Sequence, residues 1–509
     1  MYVTFYDVTK AYDRASVEDM LVELWDRGLK GKVWRLLKRL NTNLTCQVKT
    51  RHGLTEEIKR IVGGKQGGKN FGFMFSKLMD LLQEENQNEE DLGVYFDLLK
   101  LLFLIWVDDV LSFAEGKTTK TYSANSKQFA IKHKLKWGAN KCKVMAIGRS
   151  AFIEQKWKLG DLDIDSCEQY KYLGDVIMKN NSNQKNIEEI EKTVKFTTRK
   201  VMAYCSSETI SYIETQALLR LHESKIISQL LSNSETWVLK KEERKKIERI
   251  ELWSLKKLFG LPQTTPSIAV FLTTGCLFTS QRIAQKQIIY LKTILNRPDY
   301  DWTRRNLFIQ RSENIWWGKQ INELLDNYEL DFTWDEIKEM PFAEWKRRVK
   351  AKIEQRHVDR LKEGYSGPQG ERTKSKFIHD IIEKQTYKQE PMACVIKRSK
   401  IGAKTLIMGM SGMLDCAANF HFKYKRKTCD VCSVLHDDSH RINYCKKFSY
   451  MNLYESELKF DFQKIYSKDR CDVDKAEYVI RQLWDLSNGK NQMKPSLTPV
   501  HIGNTVNTI

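Results

Sequence analysis

Two short stretches of this chain hold carboxylates where an ordinary fold would avoid them. In "LFLIWVDDVLSFA" (Leu102 to Ala114) an apolar run enters Asp108 and Asp109 and another leaves them. That is the pattern of a β-hairpin presenting both carboxylates at its tip. In "YVTFYDVTKAYD" (Tyr2 to Asp13) a second β-prone segment ends at Asp7. One aspartate after a strand is an ordinary turn residue, but adjacent carboxylates flanked by hydrophobics repel each other unless a cation compensates. Gathered on one sheet, the three would suit hard divalent ions, and magnesium takes such oxygen ligands together with substrate phosphates. Two ions about 3.5–4 Å apart can activate a hydroxyl and stabilise a leaving oxygen, which is the chemistry of nucleotidyl transfer.

A second constellation lies near the other end. Cys429, Cys432, His440 and Cys445 read C-x2-C-x7-H-x4-C, and three thiolates with an imidazole suit one tetrahedral zinc ion. His436 is a competing ligand, and the basic lead-in "KYKRK" (Lys423 to Lys427) adds a phosphate-binding surface. The remaining cysteines, such as Cys205 and Cys276, read as buried small apolar residues. An odd total of 11, mostly scattered, is no disulfide framework and fits a reducing compartment.

The elements that must position these groups follow from periodicity. From Met1 to about Ile177 short runs rich in Val, Ile, Phe and Tyr alternate with helical stretches, an α+β pattern. From about Asn183 the pattern turns helical; Leu252, Leu255 and Phe259 share a face, and Gly260 before Pro262 stops that helix. In "FAEWKRRVKAKIEQRHVDRLKEG", Trp345, Val349 and Ile353 recur at helical spacing while the basic side chains fall largely elsewhere. The acidic stretch Gln83 to Asp91 reads as a solvated loop.

Length and charge set the frame. A chain of 509 residues exceeds one core, so two to four domains are expected. Lys+Arg of 85 against Asp+Glu of 65 leaves a net charge of +20, which makes nucleic acid the default partner. The start lacks the apolar core of a signal peptide, and the longest apolar run, Leu98 to Val107, contains a lysine and is too short to span a bilayer. The expectation is an intracellular protein of nucleus or cytoplasm with no membrane partner.

The motifs and their order resemble those of non-LTR (LINE-type) retrotransposon reverse transcriptases. "FYDVTKAYDR" looks like the family's first-aspartate motif and "WVDD" (Trp106 to Asp109) like its paired-aspartate motif. "GGKQGG" (Gly63 to Gly68), "LKWGANKCKVM" (Leu135 to Met145) and "YKYLGDVI" (Tyr170 to Ile177) resemble its Gln-Gly, lysine and primer-grip motifs. The resemblance implies an RNA-directed DNA polymerase that extends a DNA primer or target on an RNA template from dNTPs, with two Mg²⁺ ions on Asp7, Asp108 and Asp109. It implies that Tyr12 crowds the ribose 2′-OH, that Gln66 and Gly67 lie against template and incoming nucleotide, and that Tyr172, Leu173 and Gly174 seat the primer end. Lys141 aligns with the lysine that protonates pyrophosphate, with Lys143 as the alternative. The zinc spacing resembles the C-terminal knuckle of LINE proteins.

The fold implied is α+β: a right-hand polymerase palm, an antiparallel sheet with helices, over 1–177, and a helical thumb over 178–262. A basic, mainly helical connector follows over 263–420, then a CCHC zinc knuckle over 421–450 and a tail over 451–509. Only six residues precede Asp7, where the family places its fingers subdomain, so the expectation is a chain truncated before the fingers. Two functions follow from different classes: an active polymerase, or a noncatalytic nucleic-acid-binding remnant of one. The chain also departs from the family after Gly67, with "GKNFGF" in place of a Pro-containing turn.

Overall fold

The computed structural model describes residues 1–60, 62–64, 68–88, 93–96, 99–115, 119–148, 157–205 and 215–366, with a few isolated positions beyond. The chain divides into two compact units, Met1–Glu188 with Arg297–Ile315, and Glu189–Asn296 with Trp316–Ile509. The zinc-ligand candidates Cys429, Cys432, His440 and Cys445 lie outside the described residues, as do Gln66 and Gly67.

The first unit is built on β1 (Tyr2–Asp7), α1 (Ala11–Arg14), α2 (Val17–Asp26), α3 (Gly31–Asn41), β2 (Leu44–Cys46), β3 (Lys49–Thr50), β4 (Gly53–Leu54), β5 (Ile58–Arg60) and α4 (Lys69–Glu84). It continues through β6 (Val94–Phe96), β7 (Leu99–Leu101), β8 (Phe103–Trp106), β9 (Asp109–Ala114), α5 (Thr119–Lys132) and β10 (Lys143–Ala146). The last strands are β11 (Trp157–Leu159), β12 (Leu162–Ser166), β13 (Gln169–Tyr172) and β14 (Asp175–Met178). The principal sheet has the order β11-β12-β10-β1-β9-β8. Its pairings are antiparallel except β10 with β12, which run parallel from Lys143↔Asp165, so the sheet is mixed rather than wholly antiparallel as expected.

Strand β1 is central and covered on both faces, which is why its sequence is almost continuously apolar rather than alternating. Tyr2, Tyr6, Val110, Ala114 and Val144 face a helical layer in which Phe71, Met74, Phe75, Leu78, Met79 and Leu82 line one side of α4 at helical spacing. Val3, Phe5, Leu111 and Met145 face the other way, toward Tyr170 and Tyr172 of the β13–β14 hairpin. Helix α2 starts where Ser16 Oγ accepts from Asp19 N–H at 3.2 Å, a serine N-cap. The described part of the acidic stretch is exposed except at Asn86, as its composition suggests, but it is not all loop. Gln83 and Glu84 finish α4, Glu85 pairs with Lys132 at 2.5 Å, and Asn86 is buried and accepts from Asn125 at 2.6 Å.

The described part of the second unit is helical. It includes α7 (Thr215–Leu221), a π-helical segment His222–Ile227, α8 (Ser228–Leu230), α9 (Lys241–Leu258), α10 (Ser267–Thr274) and α11 (Thr279–Leu295). Helices α13 (Trp316–Asn327), α14 (Trp334–Glu339) and α15 (Phe342–Ser366) complete it, while α12 (Trp302–Ser312) is assigned to the first unit and α6 (Gln184–Cys205) begins there. Helix α11 is the hub, burying Ile283, Ala284, Ile288, Leu291, Ile294 and Leu295 against α9, α13, α14 and α15. Trp345, Val349 and Ile353 of α15 are fully buried, and Trp345 Nε1 donates to Ile288 O at 3.1 Å. Lys292, also buried, donates to the carbonyls of Ile337 and Lys338 at 2.6 and 2.9 Å, satisfying acceptors at the end of α14. Helix α9 ends at Phe259 before Gly260 at φ 65°, as the Gly-Leu-Pro sequence requires. Among the described residues no helix is long and apolar enough to cross a membrane.

Candidate active site

The three carboxylates meet at one end of the principal sheet. Asp7, the last residue of β1, is directly opposite Asp109, the first residue of β9. Asp109 also pairs with Trp106 across the β8–β9 hairpin, so Val107 and Asp108 form its two-residue loop. Val107 takes φ 58°, a backbone region that a β-branched residue rarely adopts. Strain of this kind persists where surrounding structure fixes it, often at functional sites, and here it sets the loop carrying Asp108.

The electrostatics are those of crowded like charges. Burial, then Asp108 and Asp7, raise the Asp109 carboxyl above its usual range, while Lys141 draws it down. Asp7 Oδ1 accepts from Lys141 Nζ at 3.2 Å. Its Oδ2 is buried without a hydrogen-bond partner, a costly arrangement for a carboxylate oxygen unless a cation serves it. Three carboxylates with an orphaned buried oxygen suit a hard divalent cation such as Mg²⁺.

The loop Lys136–Cys142 wraps Asp7. Thr9 N–H donates to Lys136 O at 2.8 Å, Gly138 N–H donates to Asp7 O at 2.9 Å, and Asp7 N–H donates to Cys142 Sγ at 3.4 Å. A Cβ at Gly138 would approach Thr9 Oγ1 to 3.0 Å and Asp7 Oδ2 to 3.2 Å, so glycine lets this loop close on the carboxylate. Of the two candidate lysines, Lys141 reaches Asp7, whereas Lys143 pairs with Asp165 at 2.6 Å. Gly138 and Cys142 lie inside the lysine motif, but sequence alone did not single them out; a glycine and a small thiol flanking Lys141 were the available signal.

Tyr12 is half-buried on α1, its ring 5.2 Å from Phe71 and 6.2 Å from Phe75. Burial and then the Asp108 charge raise its phenol pKa, so this ring faces the same electrostatic field. Gly64 N–H donates to Tyr12 O at 2.7 Å and Gly63 N–H to Ala15 O at 3.1 Å. The segment leading into Gln66 and Gly67 is therefore anchored on the turn that carries Tyr12, and α4 then starts after Gly68 with no proline.

Tyr172 pairs with Asp175 around Leu173 (φ 48°) and Gly174 (φ 95°), the two-positive-φ turn of a tight hairpin. Beneath it Phe5 stacks on Tyr170 with centroids 4.0 Å apart. Burial, then charges including Asp7 and Asp109, push the Tyr170 phenol up to about 12; burial and Asp109 do the same for Tyr172. The hairpin motif is thus coupled to the carboxylates through Phe5, two residues before Asp7. Tyr170 lies within the primer-grip motif but had no role in the sequence reading, although its aromatic type at strand spacing from Tyr172 was a visible signal.

Residues 1–177 match the family model described as reverse transcriptase (RNA-dependent DNA polymerase). No curated protein matches the chain. Among solved structures it is similar to telomerase from Candida albicans in complex with the TWJ fragment of telomeric RNA, at TM-score 0.32 and 12% identity. That alignment covers 68% of this chain and 49% of the other, so the chain spans about half that protein's length. The segment that brings Asp7, Asp108 and Asp109 together is similar over residues 1–177 to reverse transcriptase domains.

Proposed function

We propose that residues 1–177 carry out RNA-directed DNA synthesis of the non-LTR (LINE) type, extending a DNA primer on an RNA template from dNTPs. The observation that carries this reading is the cross-strand pairing of Asp7 with Asp109, with Asp108 in the adjoining loop and a buried, unpartnered Asp7 Oδ2. Asp7, Asp108 and Asp109 would hold two Mg²⁺ ions, which when bound lower the cost of charge developing on the attacking and leaving oxygens.

The chain's own groups supply the rest. Lys141 lies beside Asp7 with a largely exposed side chain, so its ammonium can donate a proton to departing pyrophosphate. Tyr12, held against Phe71 and Phe75, presents a rigid ring that excludes a ribose 2′-OH. Gln66 and Gly67 contact template and incoming nucleotide, and the Tyr172–Leu173–Gly174 turn seats the primer end, roles supported by motif resemblance. The thumb over 178–262 rests on helical periodicity and family resemblance, the connector over 263–420 on its basic, partly helical pattern, and a zinc knuckle on Cys429, Cys432, His440 and Cys445 on their spacing.

The test supplies an RNA template, an annealed DNA primer, Mg²⁺ and dNTPs to the chain, alone and with a related fingers segment added. Primer extension supports the reading, and Tyr12→Ala then admits rNTPs. Absence of extension in both arms, with primer–template still bound, favours a noncatalytic nucleic-acid-binding remnant.

A further inference from the structure

We propose that the helical second unit carries a nucleotide-phosphate site of its own, a cleft of about 320 Å³ between α9, α11, α13 and α15. Its lining holds Lys241, Arg244, Lys245, Arg356 and Arg360 against one carboxylate, Glu248. Glu248 is already engaged: Arg360 donates to both of its oxygens at 2.7 Å and stacks 4.0 Å over Phe278. The other four lining cations therefore face the cleft without a lining carboxylate of their own.

Arg244 is the centre of the argument. Its guanidinium donates to Gln320 Oε1 at 3.2 Å, and among the described residues no carboxylate comes within ion-pair distance of it. Gln320 is itself fixed, accepting from Leu239 N–H at 2.9 Å and donating to Trp237 O and Gln287 Oε1, each at 2.9 Å. A neutral amide network thus aims an unneutralised arginine at the cleft. Such a planar donor set binds phosphate oxygens in pairs, with charge assistance.

Tyr328 completes the pocket. Burial pushes its phenol up to about 12 even though Arg360, Arg244 and Arg356 pull it down, so it remains a neutral O–H donor amid three guanidiniums. Lys245 and Arg356 pair with Glu242 (3.0 Å) and Glu363 (2.8 Å) at the exposed rim, where such pairs exchange partners at little cost. Ile283, Ala284 and Leu324 provide an apolar floor suited to a base or sugar. The volume falls in the range of small-ligand sites, about 300–1,000 Å³. The phosphate belongs either to a free nucleotide or to one nucleotide of a nucleic-acid chain. This inference stands on the second unit alone and does not require the polymerase reading.

The experiment uses the full chain with two probes, AMP by isothermal titration and a fluorescent 12-nucleotide single-stranded RNA by anisotropy. Arg244→Gln is compared with Lys319→Gln, which removes one charge from an exposed position of α13 outside the cleft lining. Arg244→Gln is expected to weaken at least one probe about ten-fold, and Lys319→Gln less than about three-fold. Loss for AMP as well as RNA identifies a free-nucleotide site, and loss for RNA alone a site for a phosphate within a chain. If Arg244→Gln melts differently from wild type, Lys245→Gln replaces it and must exceed Lys319→Gln on the same probes. Equal losses in cleft and control variants, or no loss in either, overturn the proposal.

Discussion

Replacing Gly63 by alanine tests how the Gln-Gly segment is held on the turn that carries Tyr12. A Cβ there would lie 2.5 Å from Tyr12 O and 2.6 Å from Asp13 O, both backbone atoms that no rotamer change can move. Gly63 also takes φ +77°, where an L side chain costs roughly 1–2 kcal/mol. Overpacking against fixed atoms adds about 1–3 kcal/mol. The sum, about 2–5 kcal/mol, is a large share of the 5–15 kcal/mol that holds a typical domain. At roughly 1.4 kcal/mol per factor of ten, local opening becomes about 30- to several-thousand-fold more frequent. Hydrogen exchange at the Gly63 and Gly64 amides, bonded to Ala15 O and Tyr12 O, reads this directly. Gly31→Ala is the control, because Gly31 has a similar φ of +71° with nothing within 4 Å of its Cβ position, so it isolates backbone strain from crowding. If Gly63→Ala keeps wild-type protection, or if its exchange increases no more than that caused locally by Gly31→Ala, the anchoring argument is wrong.

Three further predictions follow from the charges. Because folding raises the Asp109 pKa, the native state binds more protons than the unfolded one between the two values, so this group's contribution makes the first unit less stable as pH rises through that window. Asp109→Asn should flatten that part of a melting-temperature profile and raise stability at pH 8, and added Mg²⁺ should stabilise wild type more than the variant. An unchanged profile would remove Asp109 from the crowded triad. In the second unit Glu251 is raised to about 7, chiefly by burial, and His222 lowered to about 3, also by burial. Glu251 therefore contributes a loss of stability as pH rises from its unfolded value near 4.5 to 7, and His222 a loss as pH falls from 6.5 toward 3. Glu251→Gln should leave the His222 limb alone in an unfolding profile, and retention of a loss between pH 5 and 7 as pH rises would contradict it. Finally, purified reduced chain should hold one zinc ion and lose it in Cys445→Ser; elemental analysis finding no stoichiometric zinc in the wild-type chain would exclude the C-x2-C-x7-H-x4-C site.

What the sequence disclosed, and what it hid, divides along physical lines. The Trp345, Val349 and Ile353 stripe was legible because burial on one helix face leaves a period. The Asp108–Asp109 hairpin was legible because two charges interrupt an apolar run. The cross-strand pairing of Asp7 with Asp109 depends on contacts about a hundred residues apart and leaves no local mark; the order of motifs stood in for it. The parallel β10–β12 pairing was hidden for the same reason, since β-type periodicity carries no strand direction. Asn86 and Lys292 are polar types buried because a tertiary partner satisfies them, Glu251 is buried with one oxygen accepting from Thr279 and the other without a hydrogen-bond partner, and composition assigns such residues to the surface.

The most direct test of the account is Mg²⁺-dependent dNTP incorporation by Asp108→Asn, with primer–template affinity measured on the same protein. The comparison uses whichever form, alone or with a fingers segment, shows incorporation in wild type. Withdrawing a carboxylate from the hairpin loop removes a metal ligand and leaves the phosphate contacts in place, so incorporation should fall by about a hundred-fold or more while affinity changes less than about two-fold. Asp7→Asn should behave alike. Incorporation that survives unchanged in both variants would contradict the assignment of Asp7, Asp108 and Asp109 as the catalytic metal site.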